Sequence, residues 1–221
     1  DGVQAEIMKM GGLVENAIRL GMKALETRDE DLAQKVRASD AEIDQLEETI
    51  NERAARIIAL RAPTAIDLRL ILSVIKISSN LERIGDYAKN MAKRTETLSQ
   101  IAPIGGSIGT LRRMTRAVEG MLKDALDAYI QRDAALAADV IARDVDVDQM
   151  YNALFRELLT FMMEDPRNIT ACLHLHFISK NTERMGDHVT SIAEQVVYLT
   201  TGMKPDEARP KADKTSTITG A

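Results

Sequence analysis

Two acidic segments recur in this chain. Glu82-Arg83-Ile84-Gly85-Asp86, preceded by Asn80, returns 101 residues later as Glu183-Arg184-Met185-Gly186-Asp187, preceded by Asn181. A second pair lies upstream, Asp40-Ala41-Glu42-Ile43-Asp44-Gln45 and Asp144-Val145-Asp146-Val147-Asp148-Gln149, at an offset of 104. Carboxylates four residues apart share one face of a helix, where like charges cost a few tenths of a kcal/mol unless something neutralises them. Carrying that cost in both copies points to bound cations. The candidate ligands are Asp40, Asp44, Glu82 and Asp86 in one half, and Asp144, Asp148, Glu183 and Asp187 in the other. An oxygen-only set without Cys or His suits hard ions such as Mg²⁺, Mn²⁺, Ca²⁺ or iron.

A solvated acidic face is the competing explanation, and the chain contains its own control. Glu26/Glu30, Asp44/Glu48 and Glu48/Glu52 share the spacing, yet their counterparts Ile130/Ala134, Asp148/Asn152 and Asn152/Arg156 are not acidic pairs. Only the two pairs above persist in both halves. The histidines fail the same test: His188 matches Tyr87 and reads as a surface residue, while His174 and His176 match Ser73 and Ile75 and read as packing or surface. Arg83 and Arg184 are duplicated and read equally well as surface salt bridges or as holders of a carboxylate or partner. The single cysteine, Cys172, matches Ile71 and reads as a reduced core residue.

The elements that must position these acids are also duplicated. An offset of 104 aligns Val14-Glu15 with Val118-Glu119, Arg28-Asp29 with Arg132-Asp133 and Leu32-Ala33 with Leu136-Ala137. One structural unit of roughly 100 residues is therefore used twice. The sequence is 45% hydrophobic but only 3% aromatic, with no Trp and 11 Met, which suits interdigitating helices better than strands. Caps and breakers predict helices from near Gln4 to Thr27, from the N-cap Asp29 to Arg61, and from Thr64 to before Pro103. They recur over Ser107 to Gln131, Asp133 to Glu164, and Asn168 to Gly202. The expected fold is all-α: two tandem antiparallel three-helix bundles, over 1–101 and 107–202, with a disordered tail at 203–221.

Within the third helix Leu70, Val74, Ile77, Leu81, Ile84, Ala88 and Met91 alternate steps of four and three, and Ala171 to Leu199 repeat the pattern. The second helix has a weaker series, from Leu32 and Val36 to Ile57 and Leu60. With Leu81 and Ile84 on the seam, Glu82 and Asp86 are expected off it, on an outer face shared with Asp40 and Asp44. A mid-helix glycine beside each acidic motif, Gly85 and Gly186, would admit a close neighbour.

Net charge of −5 argues against nucleic acid, and no run of 18 apolar residues suggests a membrane span. No secretory signal is expected, nor direct membrane insertion; the chain reads as soluble and intracellular. It opens at Asp1 inside a helical pattern, so the natural N-terminus is expected upstream.

At these residues, from Gln4 to Gly202, the chain resembles the PhoU phosphate-signalling accessory proteins. The resemblance implies a regulator, not an enzyme, that is cytoplasmic and peripheral to the inner membrane through protein partners. Those partners would be the ATPase subunit of the phosphate ABC transporter, a phosphate-sensing histidine kinase and a second copy in a homodimer. It further implies negative regulation of the phosphate-starvation response and metal clusters, of iron or zinc with magnesium or manganese as options, on the eight acids named. Thr182 departs from the pattern, standing where Leu81 does. A carboxylate-bridged di-metal oxidase would need Glu-x-x-His ligands, which the sequence lacks; a purely structural helical scaffold is the other alternative.

Overall fold

Six long helices carry the chain: α1 Gly2–Thr27, α2 Glu30–Arg61, α3 Ala65–Leu98, α4 Ser107–Gln131, α5 Ala134–Glu164 and α6 Ile169–Thr201, the last preceded by a 3₁₀ turn at Pro166–Asn168. This computed structural model describes residues 2–205 and 212–215. The helices form the two expected three-helix bundles, α1–α3 and α4–α6, packed mainly through α3 against α6 and secondarily through α1 against α4.

The duplicated Arg-Asp pairs explain the tight α1–α2 and α4–α5 turns. Arg28 and Arg132 both take the left-handed conformation, φ 56°. The next residue begins the following helix: Asp29 accepts from the Leu32 amide at 2.9 Å, and Asp133 from the Ala135 and Leu136 amides at 2.9 and 3.0 Å. Each Asp thereby satisfies amides that have no partner within the helix. Helix α2 ends at Ala62, also left-handed, one residue before Pro63; α6 ends on Gly202, φ 79°.

The seams of α3 and α6 are buried as their spacing predicts, with Ile77, Leu81, Ile84, Ala88 and Met91 in one and Ile178, Met185, Val189, Ile192 and Val196 in the other all at 0% exposure. Each of these side chains other than that of Ala88 contributes roughly 1.5–3 kcal/mol by leaving water. Thr182 sits at the same depth and donates its hydroxyl to the Ile178 carbonyl at 3.0 Å, so the helix itself satisfies the polar atom. The series in α2 fails at its end, where Leu60 is 72% exposed. Cys172 is a free, buried thiol.

Helices α3 and α6 run antiparallel. The Arg69 guanidinium lies over the Tyr198 ring at 5.3 Å, Asn80 Oδ1 meets His188 Nδ1 at 2.8 Å, and Arg94 meets His174 Nδ1 at 3.2 Å. His188 is therefore no plain surface residue: it is half-buried between the units, tilted against the Tyr87 ring. No helix among the described residues is long and apolar enough to cross a membrane.

The tail expectation needs correction at residues 212–215, which pack against α5 and α6; 206–211 and 216–221 lie outside the described residues.

Candidate functional site

The eight acids fall into two grooves, one between α2 and α3 and the other between α5 and α6. Glycine decides how close the helices come. A Cβ on Gly85 would stand 3.1 Å from Ile43 Cδ1 and 3.8 Å from Asp40 Oδ1; one on Gly186 would stand 3.0 Å from Asp144 Oδ1. Alanine at either position would make the facing Ile43 or Asp144 side chain give by a few tenths of an ångström. This approach also corrects the expected outer-face placement: Asp40, Asp144, Asp148 and Glu183 are only 4, 2, 2 and 4% exposed. They flank the seam, and a neighbouring helix that meets bare backbone closes over them.

In the first groove, Asp40 Oδ2 pairs with the Lys89 ammonium, which also reaches Asp86 Oδ1 at 3.6 Å. Arg83 approaches Glu82 at 3.6 Å and Asp86 at 3.7 Å, so this arginine holds the carboxylates of its own motif. Asp40 Oδ1 is buried and has no hydrogen-bond partner among the described residues. The charges are crowded. Burial, then repulsion from Asp86, push Glu82 up to about 7 against the opposing Arg83, with Glu47 and Asp44 adding to the rise. Asp44, although exposed, is raised by desolvation and by Asp40, and Lys89 is raised chiefly by its hydrogen bond to Asp40.

In the second groove the cation comes from elsewhere. Lys180 Nζ lies 2.9 Å from Glu183 and 2.8 Å from Asp213 of the C-terminal segment. Burial opposes the charge on Lys180, yet its hydrogen bonds to Asp213 and Glu183 push it up to about 12. Burial raises Glu183, with Lys180 working against the rise. Asp148 accepts the backbone amides of Ala212 and Asp213 at 2.7 and 3.1 Å. His176 lies beside this groove among Tyr151, Phe155 and Phe177, a packing residue as its sequence position suggested.

Carboxylates with no sulfur or imidazole among them match a hard cation in donor chemistry, and the partnerless Asp40 oxygen and the reluctant Glu82 charge both call for one. As positioned, no group of three or more His, Cys, Asp or Glu side chains among the described residues converges so as to hold a metal ion. Lysine takes the neutralising role instead: Lys89 already pairs with Asp40 Oδ2, beside the buried Oδ1. Sequence reasoning missed both lysines for one reason. Lys89 matches Thr190 and Lys180 matches Ser79, and a filter that keeps only duplicated residues discards them.

A sequence model of the PhoU domain matches twice, over residues 7–95 and 111–196. The PhoU homolog of the phosphate-specific transport system in Caulobacter vibrioides is 47% identical over 209 residues, 95% of this chain and 91% of that protein; the Rhizobium meliloti homolog is 46% identical over 219 residues, 96% of this chain and 90% of that protein. The crystal structure of PhoU from Pseudomonas aeruginosa superposes with a TM-score of 0.88 at 42% identity, covering 91% of this chain and 97% of the other. That of Streptococcus pneumoniae gives 0.84 at 30%, covering 93% and 97%. These relatives are regulatory accessory proteins and not enzymes. With both bundles matched and nearly the whole chain aligned, the protein belongs to the PhoU family.

Proposed function

We propose that this chain is an accessory regulator of phosphate uptake that carries cations in its two acidic grooves. Together with a phosphate ABC transporter and a phosphate-sensing histidine kinase, it holds the phosphate-starvation response off when phosphate is plentiful. The observation that carries the transport role is the 47% identity, across 95% of the chain, to a phosphate-specific transport accessory protein. The cation role is supported by the duplicated acids, by the buried Asp40 oxygen without a partner and by the elevated Glu82. Asp40, Asp44, Glu82 and Asp86 would hold one ion or cluster, and Asp144, Asp148, Glu183 and Asp187 the other. Iron or zinc, magnesium or manganese are the candidates. Contact with the membrane is through protein partners from the cytoplasmic side, the working form being a homodimer.

Two experiments test this. A reporter for a phosphate-starvation gene should stay on in replete medium once the protein is deleted; a silent reporter refutes negative regulation. Separately, the double variant Asp86→Asn with Asp187→Asn should melt close to the parent in chelator. With Mn²⁺ at a hundred times its dissociation constant, the parent should gain about 2.7 kcal/mol per site and the variant much less. Equal gains in both proteins would remove these aspartates from the ligand set.

A further inference from the structure

The α5/α6 groove holds a stretch of main chain in a way its twin cannot. Asn152 reads the backbone of the C-terminal segment from both sides, its amide donating to the Ala212 carbonyl at 2.6 Å and its oxygen accepting from the Lys214 amide at 3.0 Å. One oxygen of the buried Asp148 accepts two consecutive amides, those of Ala212 and Asp213. The intervening side chain is read by charge: Lys180, braced by Glu183 and seated 4.9 Å over the Tyr151 ring, pairs with Asp213. Asp213 also accepts from the Thr215 amide and hydroxyl at 2.9 and 2.8 Å, fixing a turn, and Thr215 hydrogen-bonds Tyr151.

Three side chains, Asn152, Asp148 and Lys180, thus satisfy backbone donors and acceptors and the one acidic side chain of this segment. That is peptide recognition, in which main-chain hydrogen bonds supply affinity and a charged contact supplies selectivity. The first groove has none of it: Glu48 stands in the place of Asn152, Ser79 in that of Lys180, and Glu47 in that of Tyr151. Asp44, the twin of Asp148, is correspondingly exposed whereas Asp148 is 2% exposed.

We propose that the α5/α6 groove is a clamp for a short peptide turn bearing an acidic side chain, and that residues 212–215 of this chain occupy it. The clamp stands on hydrogen-bond geometry and does not require the cation reading. Its test is hydrogen exchange at the Ala212 and Asp213 amides in the full chain, in chelator. Both amides should exchange roughly tenfold or more slowly than in a free peptide. Lys180→Met, which keeps the apolar stem, and Asp213→Ala, which lies on the tail and leaves the bundle intact, should each return the rates towards the free value. Free-peptide rates in the parent overturn the proposal, as does protection that survives both substitutions.

Discussion

Replacing Glu82 with Gln removes a charge that the fold resists. Burial and the neighbouring acids push this carboxyl from its ordinary 4.5 up to about 7. A carboxyl whose folded pKa is raised favours the fold only while protonated. Below pH 4.5 both states hold the proton and nothing is lost. As pH climbs from about 4.5 to 7 the unfolded chain releases its proton first and stability falls, and above about 7 the full cost is present. At about 1.4 kcal/mol per pH unit the ceiling is about 3 kcal/mol. Because 19% of the side chain still meets water, screening brings the expected cost to about 1–2 kcal/mol. Urea unfolding of parent and Glu82→Gln, in chelator at pH 4 and pH 8, measures it. Groups common to both proteins, Glu15 and Glu183 among them, cancel in the difference, while Asp44 and Asp86 couple to Glu82 and share in the relief. The variant should gain on the parent by about 1–2 kcal/mol between the two pH values. A constant difference across that range would refute the crowded-charge account of the first groove.

Two further predictions concern the helices that hold the grooves. A Cβ on Gly11 would stand 2.5 Å from Leu126 Cδ1, whereas one on Gly12 meets nothing within 4 Å, so Gly12→Ala should stabilise by about 1 kcal/mol through helix propensity and Gly11→Ala by less, because the buried Leu126 side chain must first move aside; chemical denaturation of the pair decides. Leu81→Ala should cost about 2–5 kcal/mol, since Leu81 is fully buried, and Leu60→Ala less than about 0.5 kcal/mol, since Leu60 is 72% exposed; equal losses would mean that the α2 periodicity, not the observed burial, describes the core.

Much of the fold is legible because α3 and α6 keep strict apolar spacing and both turns repeat one Arg-Asp device: the helix order, the caps at Asp29 and Asp133 and the depth of Leu81 all follow from local pattern. What periodicity misses is distance between helices. It placed the acids on an outer face, and could not show that with Gly85 and Gly186 in place the neighbouring helix comes close enough to leave Asp40 and Glu183 buried. It also read the tail by composition alone, Pro and Lys with no apolar rhythm. Residues 212–215 are held instead by hydrogen bonds to Asp148 and Asn152, which leave no mark on hydropathy.

The two grooves have diverged in a way that bears on how they would fill. Each takes one lysine, but from opposite ends of its motif: Lys89 follows Asp86 by three residues, and Lys180 precedes Glu183 by three. In the first groove that lysine is 41% exposed and can swing into water when a cation arrives. In the second it is tied to Asp213 while two backbone amides occupy Asp148, so a cation there must first evict the clamped segment. If the clamp is favoured about tenfold, apparent affinity at the second groove falls by the same factor. Titration of the chelator-stripped protein with Mn²⁺, followed by calorimetry, should therefore resolve two unequal steps. Asp213→Ala should tighten the weaker step about tenfold and leave the stronger one unchanged, and Asp86→Asn should weaken the stronger one alone. Two equal steps in the parent, or a response of both to Asp213→Ala, would show that the clamp does not control the second groove.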